Sequence, residues 1–108
     1  MRILKLSLVL SALLSFTPIA CNAADIWIDV RSSEEFKAGH LPEAHNIPHT
    51  EIAARIGEVT QNKNDTIHLY CRSGRRSGLA LDTLKQQGFT QVVNEGGYEE
   101  LIKKGKGN

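Results

Sequence analysis

Cysteine is scarce in this chain of 108 residues: there are two, Cys21 and Cys71, and the first falls inside an apolar N-terminal segment. With that segment set aside one thiol remains, which excludes an internal disulfide. Small exported domains are commonly stapled by cysteine pairs, so a lone thiol in one is either a small buried hydrophobe or a reactive group. Aromatic residues are also few, at 6%. Trp27, Phe36, Phe89 and Tyr98 fall in separate predicted elements, which reads as packing rather than a stacking platform. No excess of either charge exists: the net charge is +1, and without residues 1–23 it is 11 basic against 12 acidic residues, or −1. A global field for nucleic acid is therefore excluded.

One apolar run stands out. Leu6 to Phe16 is uncharged, follows Arg2 and Lys5, and precedes Pro18 and small residues, the layout of a secretory signal. Its 11 residues are fewer than the roughly 17 to 25 that span a bilayer. Cleavage after Ala23 would put Cys21 and Ala23 at the positions a signal peptidase inspects and leave residues 24–108 as one small domain. Acylation of Cys21 is the alternative, although Pro18 stands where such a site prefers an aliphatic residue.

Periodicity and punctuation organise the remainder. Asp25 to Val30, "DIWIDV", reads as a strand buried on both faces. Ser32 and Glu35 have capping-box spacing, and Gly39 closes the short helix they begin. Pro42 and Pro48 bracket a brief extended piece from Ala44 to Ile47. Thr50 is placed to cap a second short helix that Gly57 stops. Thr66 to Cys71 forms the next strand, and Arg76 to Gln87 a helix with Ala80, Leu81 and Leu84 on one face. "FTQVVN" (89–94) is a further strand, "EGG" (95–97) a turn, and "YEELIKK" (98–104) a last helical segment. Strands alternating with helices predict an α/β domain, a mainly parallel sheet with helices on both faces.

Ligands of such sheets gather at the carboxyl ends of strands, beside helix N-termini. Cys71 has that position. The stretch from Cys71 to Arg76 separates strand from helix, and Gly74 lets the backbone curl so that successive N–H groups point inward, a nest for an anion or a thiolate. These groups, with Arg72, Arg75 and Arg76, favour the ionised sulfur. Cysteine phosphatases use a similar cradle, but their pattern has Arg six positions after Cys, where this chain has Ser77. The shorter ring suits a single sulfur better than a tetrahedral oxyanion.

"WIDVR" (27–31), "AGHLPEAHNIP" (38–48), "CRSGRRS" (71–77) and "NEGGY" (94–98) together resemble the rhodanese family of sulfurtransferases over essentially all of residues 24–108. Glu43 departs from a frequent family Gly, and Arg72 and Ser73 occupy variable, acceptor-facing positions, which bears on substrate preference. The resemblance implies a thiosulfate sulfurtransferase in which Cys71 is catalytic and carries a persulfide. Arg72, Ser73, Gly74, Arg75 and Arg76 would bind the substrate, with Asp29, Arg31 and Ser77 in support. It implies no cofactor and no metal. The partners would be thiosulfate as donor, and cyanide, a small thiol or a thioredoxin-like dithiol protein as acceptor. With the leader at residues 1–23, it implies a periplasmic protein whose rhodanese domain spans 24–108.

His40, His45, His49 and His68 lie at spacings that put no two on one helical face, so a metal site is not expected. His40 reads as a hydrogen-bonding clasp and His68 as a strand residue with a satisfied ring. Two other functions fit parts of the pattern: a non-catalytic rhodanese-like sulfur-carrier or partner-binding module, and a phosphatase or arsenate reductase. Persulfide formation and phosphate-ester hydrolysis, respectively, would discriminate them.

Overall fold

A computed structural model describes residues 23–106. The leader expected at residues 1–23 lies outside the described residues except for Ala23, and Cys21 lies outside them too. Among those described, no helix is long and apolar enough to cross a membrane.

Four strands, β1 (Asp25–Asp29), β2 (His45–Asn46), β3 (Thr66–Cys71) and β4 (Gln91–Gly97), form one sheet in the order β2-β1-β3-β4. Every pairing is parallel. The helices are α1 (Ser33–Ala38), α2 (Ile52–Arg55), α3 (Arg75–Gln86) and α4 (Tyr98–Lys103), and short 3₁₀ turns flank α2. Alternation along β3 sorts its side chains between two apolar layers. Ile67, Leu69 and Cys71 join Ile28, Val30, Ile52, Ala80 and Leu84 in the cluster beneath α2 and α3. Tyr70 joins Leu41 and Leu101 on the opposite face, with Trp27, Tyr98 and Ile102 packed around them. Helices therefore cover both faces of a parallel sheet, as the alternation predicted.

Local differences have physical causes. Only the carboxyl end of β1, Ile28 and Asp29, is fully buried; Asp25 at its start is exposed and meets His68 Nε2 at 2.8 Å. Thr50 caps nothing: Pro48, extended at φ −54° and ψ 146°, precedes a 3₁₀ turn that begins at His49, and α2 begins after Glu51 without a side-chain cap. α3 begins at Arg75, one residue before the predicted start. The "EGG" stretch is not a turn. It is the end of β4, where the pairing shifts from Leu69 opposite Asn94 to Tyr70 opposite Gly96 and leaves Glu95 as an inserted residue. Such a bulge re-aims the strand next to a site. Glu95 turns to the outer face and meets His68 Nδ1 at 2.7 Å, which with Asp25 satisfies both ring nitrogens. His40 clasps the Phe36 carbonyl at 2.8 Å and stacks on the Phe36 ring.

Candidate active site

Cys71 ends β3, and its side chain is turned toward α3. It is 1% exposed. Three residues, Arg72 to Gly74, separate it from the helix, and Gly74 stands at the N-cap with φ +95°, a left-handed conformation that lets the chain turn back over the sulfur. The Gly74 N–H points at Sγ at 3.0 Å. Ser77 Oγ lies 3.5 Å from Sγ, one turn into α3. Burial pushes the Cys71 thiol up, but hydrogen bonds from the Ser77 hydroxyl and from the N–H groups of Ser77, Ser73 and Gly74 more than offset it, so its pKa is lowered.

The arginines are placed differently from the sequence expectation. Arg75 and Arg76 are in the first turn of α3, not in the loop. Arg76 makes a two-pronged bond to Glu35 of α1, Nη1 to Oε1 at 2.8 Å and Nη2 to Oε2 at 3.1 Å. Its charge is thus directed first at a carboxylate and only secondarily at the sulfur, because a planar guanidinium fits two carboxylate oxygens. Arg72 is 74% exposed and 3.9 Å from the same carboxylate. Arg75 is exposed, and among the described residues no side-chain hydrogen bond or ion pair holds it. The inward-facing donors around the sulfur are consequently backbone N–H groups rather than guanidinium groups.

Asp29 and Arg31 form a buried pair at the end of β1, with Arg31 Nη2 2.6 Å from Asp29 Oδ2. The same Nη2 donates to the Gly39 carbonyl at 2.7 Å, and the guanidinium lies over the Tyr98 ring at 4.4 Å. This pair ties the end of α1 to the base of α4. Beside it opens a cleft of about 360 Å³ lined by Arg31, Glu35, Ala38, Gly39, Arg72, Tyr98 and Glu99. Arg72 links that cleft to the loop, while Cys71 is not part of its lining.

Three contributors were missed from sequence. From sequence, Glu35 reads only as a capping residue. Its capping-box role is real, with Ser32 Oγ accepting from the Glu35 N–H at 3.2 Å and Glu35 Oε1 accepting from the Ser32 N–H at 3.0 Å. Asn94 reads from sequence as the end of a strand, yet its Oδ1 accepts from Ser77 Oγ at 2.6 Å and its Nδ2 donates to the Gly74 carbonyl at 2.9 Å. Gly97 runs so close to the loop that a Cβ there would overlap the Arg72 carbonyl oxygen. The "NEGGY" string was the available signal for the last two. Among the described residues no group of His, Cys, Asp and Glu is arranged to hold a metal ion.

Fold and site define a small parallel α/β domain built around one recessed cysteine held in a ring of N–H donors. Residues 17–104 match the rhodanese-like domain, and the chain belongs to the rhodanese family of sulfurtransferases. It is 43% identical over 79 residues to the thiosulfate sulfurtransferase PspE of Escherichia coli (strain K12), covering 73% of this chain and 76% of that one. A sulfurtransferase of Allochromatium vinosum is 36% identical over 67 residues, covering 62% of this chain and 61% of the relative. Among solved structures, a rhodanese with anions from E. coli superposes with a TM-score of 0.69 at 43% identity, covering 71% of this chain and 91% of that one. The human single-domain sulfurtransferase TSTD1 superposes at 0.63 and 26% identity, over 74% and 82% of the two chains.

Proposed function

We propose that this protein is a thiosulfate sulfurtransferase, exported to the periplasm by residues 1–23, that carries sulfur as a persulfide on Cys71. The observation that bears most weight is the Gly74 N–H at 3.0 Å from Sγ in a nest that lowers the thiol's pKa. The likeness to a relative named for this activity supports it.

In the first step the Cys71 thiolate attacks the outer sulfur of thiosulfate. The Sγ–S bond forms, the S–S bond of thiosulfate breaks, and the electron pair leaves with sulfite. Once the sulfur is ionised no general base is needed, because the leaving group is a stable anion. The outer persulfide sulfur then holds the negative charge, and the loop N–H groups from Arg72 to Arg76 would hold it. In the second step cyanide or a thiolate attacks that outer sulfur, forming thiocyanate or a new persulfide and returning the Cys71 thiolate. Exposed Arg72 and Arg75 draw the dianion to the loop. Arg76, paired with Glu35, holds the helix start and adds a weaker positive field. Asp29 and Arg31 brace the neighbouring elements, and Ser77 supports the sulfur from α3. Small thiols or a thioredoxin-like dithiol protein would be the acceptors in place of cyanide.

Mass spectrometry of the protein after thiosulfate treatment should show the addition of one sulfur atom, and Cys71→Ser should lose both this adduct and turnover with cyanide. An unchanged rate in Cys71→Ser overturns the proposal. Loading without turnover would instead identify a sulfur carrier.

A further inference from the structure

Ser77 is fully buried and has one hydroxyl proton, yet two neighbours are in position to take it. Asn94 Oδ1 lies 2.6 Å from Oγ and Cys71 Sγ lies 3.5 Å away. One O–H serves one acceptor well, and by distance the proton favours Asn94. The Asn94 amide cannot turn to offer a donor instead. Its Nδ2 is engaged by the Gly74 carbonyl at 2.9 Å, and its Oδ1 also receives the Gly96 N–H at 3.0 Å. Ser77 can then face the sulfur only as an acceptor, which suits a sulfur that carries a proton and opposes one that carries a charge.

We propose that Asn94 is a positioning residue that competes with the Cys71 sulfur for the Ser77 hydroxyl proton, holding it while the sulfur is uncharged and yielding it when the sulfur becomes anionic. In the thiol state S–H donates to Oγ and O–H donates to Asn94. On ionisation the thiol proton goes to water, Ser77 keeps its own proton and rotates it onto the sulfur, and Asn94 Oδ1 retains the Gly96 N–H. The persulfide half of the scheme rests on the proposed function: the inner sulfur there is neutral, so Ser77 swings back to Asn94. Asn94 thus favours the loaded state over the free thiolate.

Other charges bear on the same sulfur. Arg76 of α3 reaches it electrostatically, with Glu35 and Arg31 acting on Arg76 in turn. Asp29 beside β3 is neutralised by Arg31, Arg72 and Arg75 flank the loop, and Glu95 of β4 is turned away to His68. None of them touches the Ser77 hydroxyl, so the competition can be isolated by a mutant cycle.

The test is the pH midpoint of Cys71 alkylation by iodoacetamide in the full chain, for wild type, Asn94→Leu, Ser77→Ala and the double variant. Asn94→Leu keeps the volume and removes the competing acceptor, so proton affinity of the sulfur should fall by roughly three- to tenfold, the range of one neutral hydrogen bond. Ser77→Ala should raise it, and adding Asn94→Leu to Ser77→Ala should give no further fall. Asn94 is exposed, so Asn94→Ala provides a second, smaller replacement should the leucine disturb folding. Equal displacements in both backgrounds, or no fall in the presence of Ser77, overturn the inference and leave Asn94 a loop clamp. Alkylation needs no sulfur donor, so failure of thiosulfate loading would sink the proposed function without touching this result.

Discussion

At Gly97 the Arg72 carbonyl oxygen stands where a side chain would begin, and Ser73 Cα would lie 3.6 Å from the added atom. Gly97→Ala must therefore push the end of β4 away from the loop that covers the sulfur. The expected cost is about 1–3 kcal/mol in urea unfolding, with slower Cys71 alkylation at neutral pH as the nest opens. The sign of the thiol's own pH dependence follows from its lowered pKa. Reactivity should persist below the ordinary thiol value of about 8.5, and the linked stability is complete above that value and fades as pH falls through the folded pKa. Cys71, Gly74 and Ser77 were legible because they lie close together in one loop and helix start. Asn94 and Gly97 were not, because only the parallel pairing of β4 with β3 brings them to the sulfur.

Between elements, Glu35 joins α1 to α3. The bond from Arg76, opposed by burial and helped by the Ser32 N–H and hydroxyl, lowers its carboxyl pKa to about 2. A depressed acid pKa stabilises the fold above the unfolded value of about 4.3 and loses that contribution as pH falls through about 2. Glu35→Gln should lower the thermal midpoint at pH 6 and flatten its decline between pH 4 and pH 2, since the pair that titrates is gone. The cap itself was readable from Ser32 and Glu35, three positions apart. The partner, 41 positions on, was not. Similarly, two glycines after Asn94 resemble a turn, because a bulge inside a strand borrows the same backbone freedom; only register separates the two.

For the molecule as a whole, alternating strands and helices sufficed to predict the parallel sheet and its two covered faces. Charge was the less transparent property. A chain without excess charge still concentrates cations near its thiol, but pairing removes Arg76 from the count and leaves Arg72 and Arg75 toward solvent. Replacing both with Gln should raise KM for thiosulfate several-fold and shrink its dependence on ionic strength, with kcat little changed, as expected for long-range attraction screened over about 10 Å. Steady-state kinetics at low and high salt would separate this from an effect on the chemical step.

The 1% exposure of Cys71 also makes the two halves of the proposed cycle unequal in shape. A recessed atom admits only a narrow donor, one whose terminal sulfur can slide past the backbone to reach it. Once loaded, the cysteine is longer by a bond of about 2 Å, and the atom to be handed on is the outermost one. A bulky recipient excluded from the empty pocket can meet the cargo nearer the mouth, so the depth of the resting thiol filters what gives sulfur more stringently than what receives it.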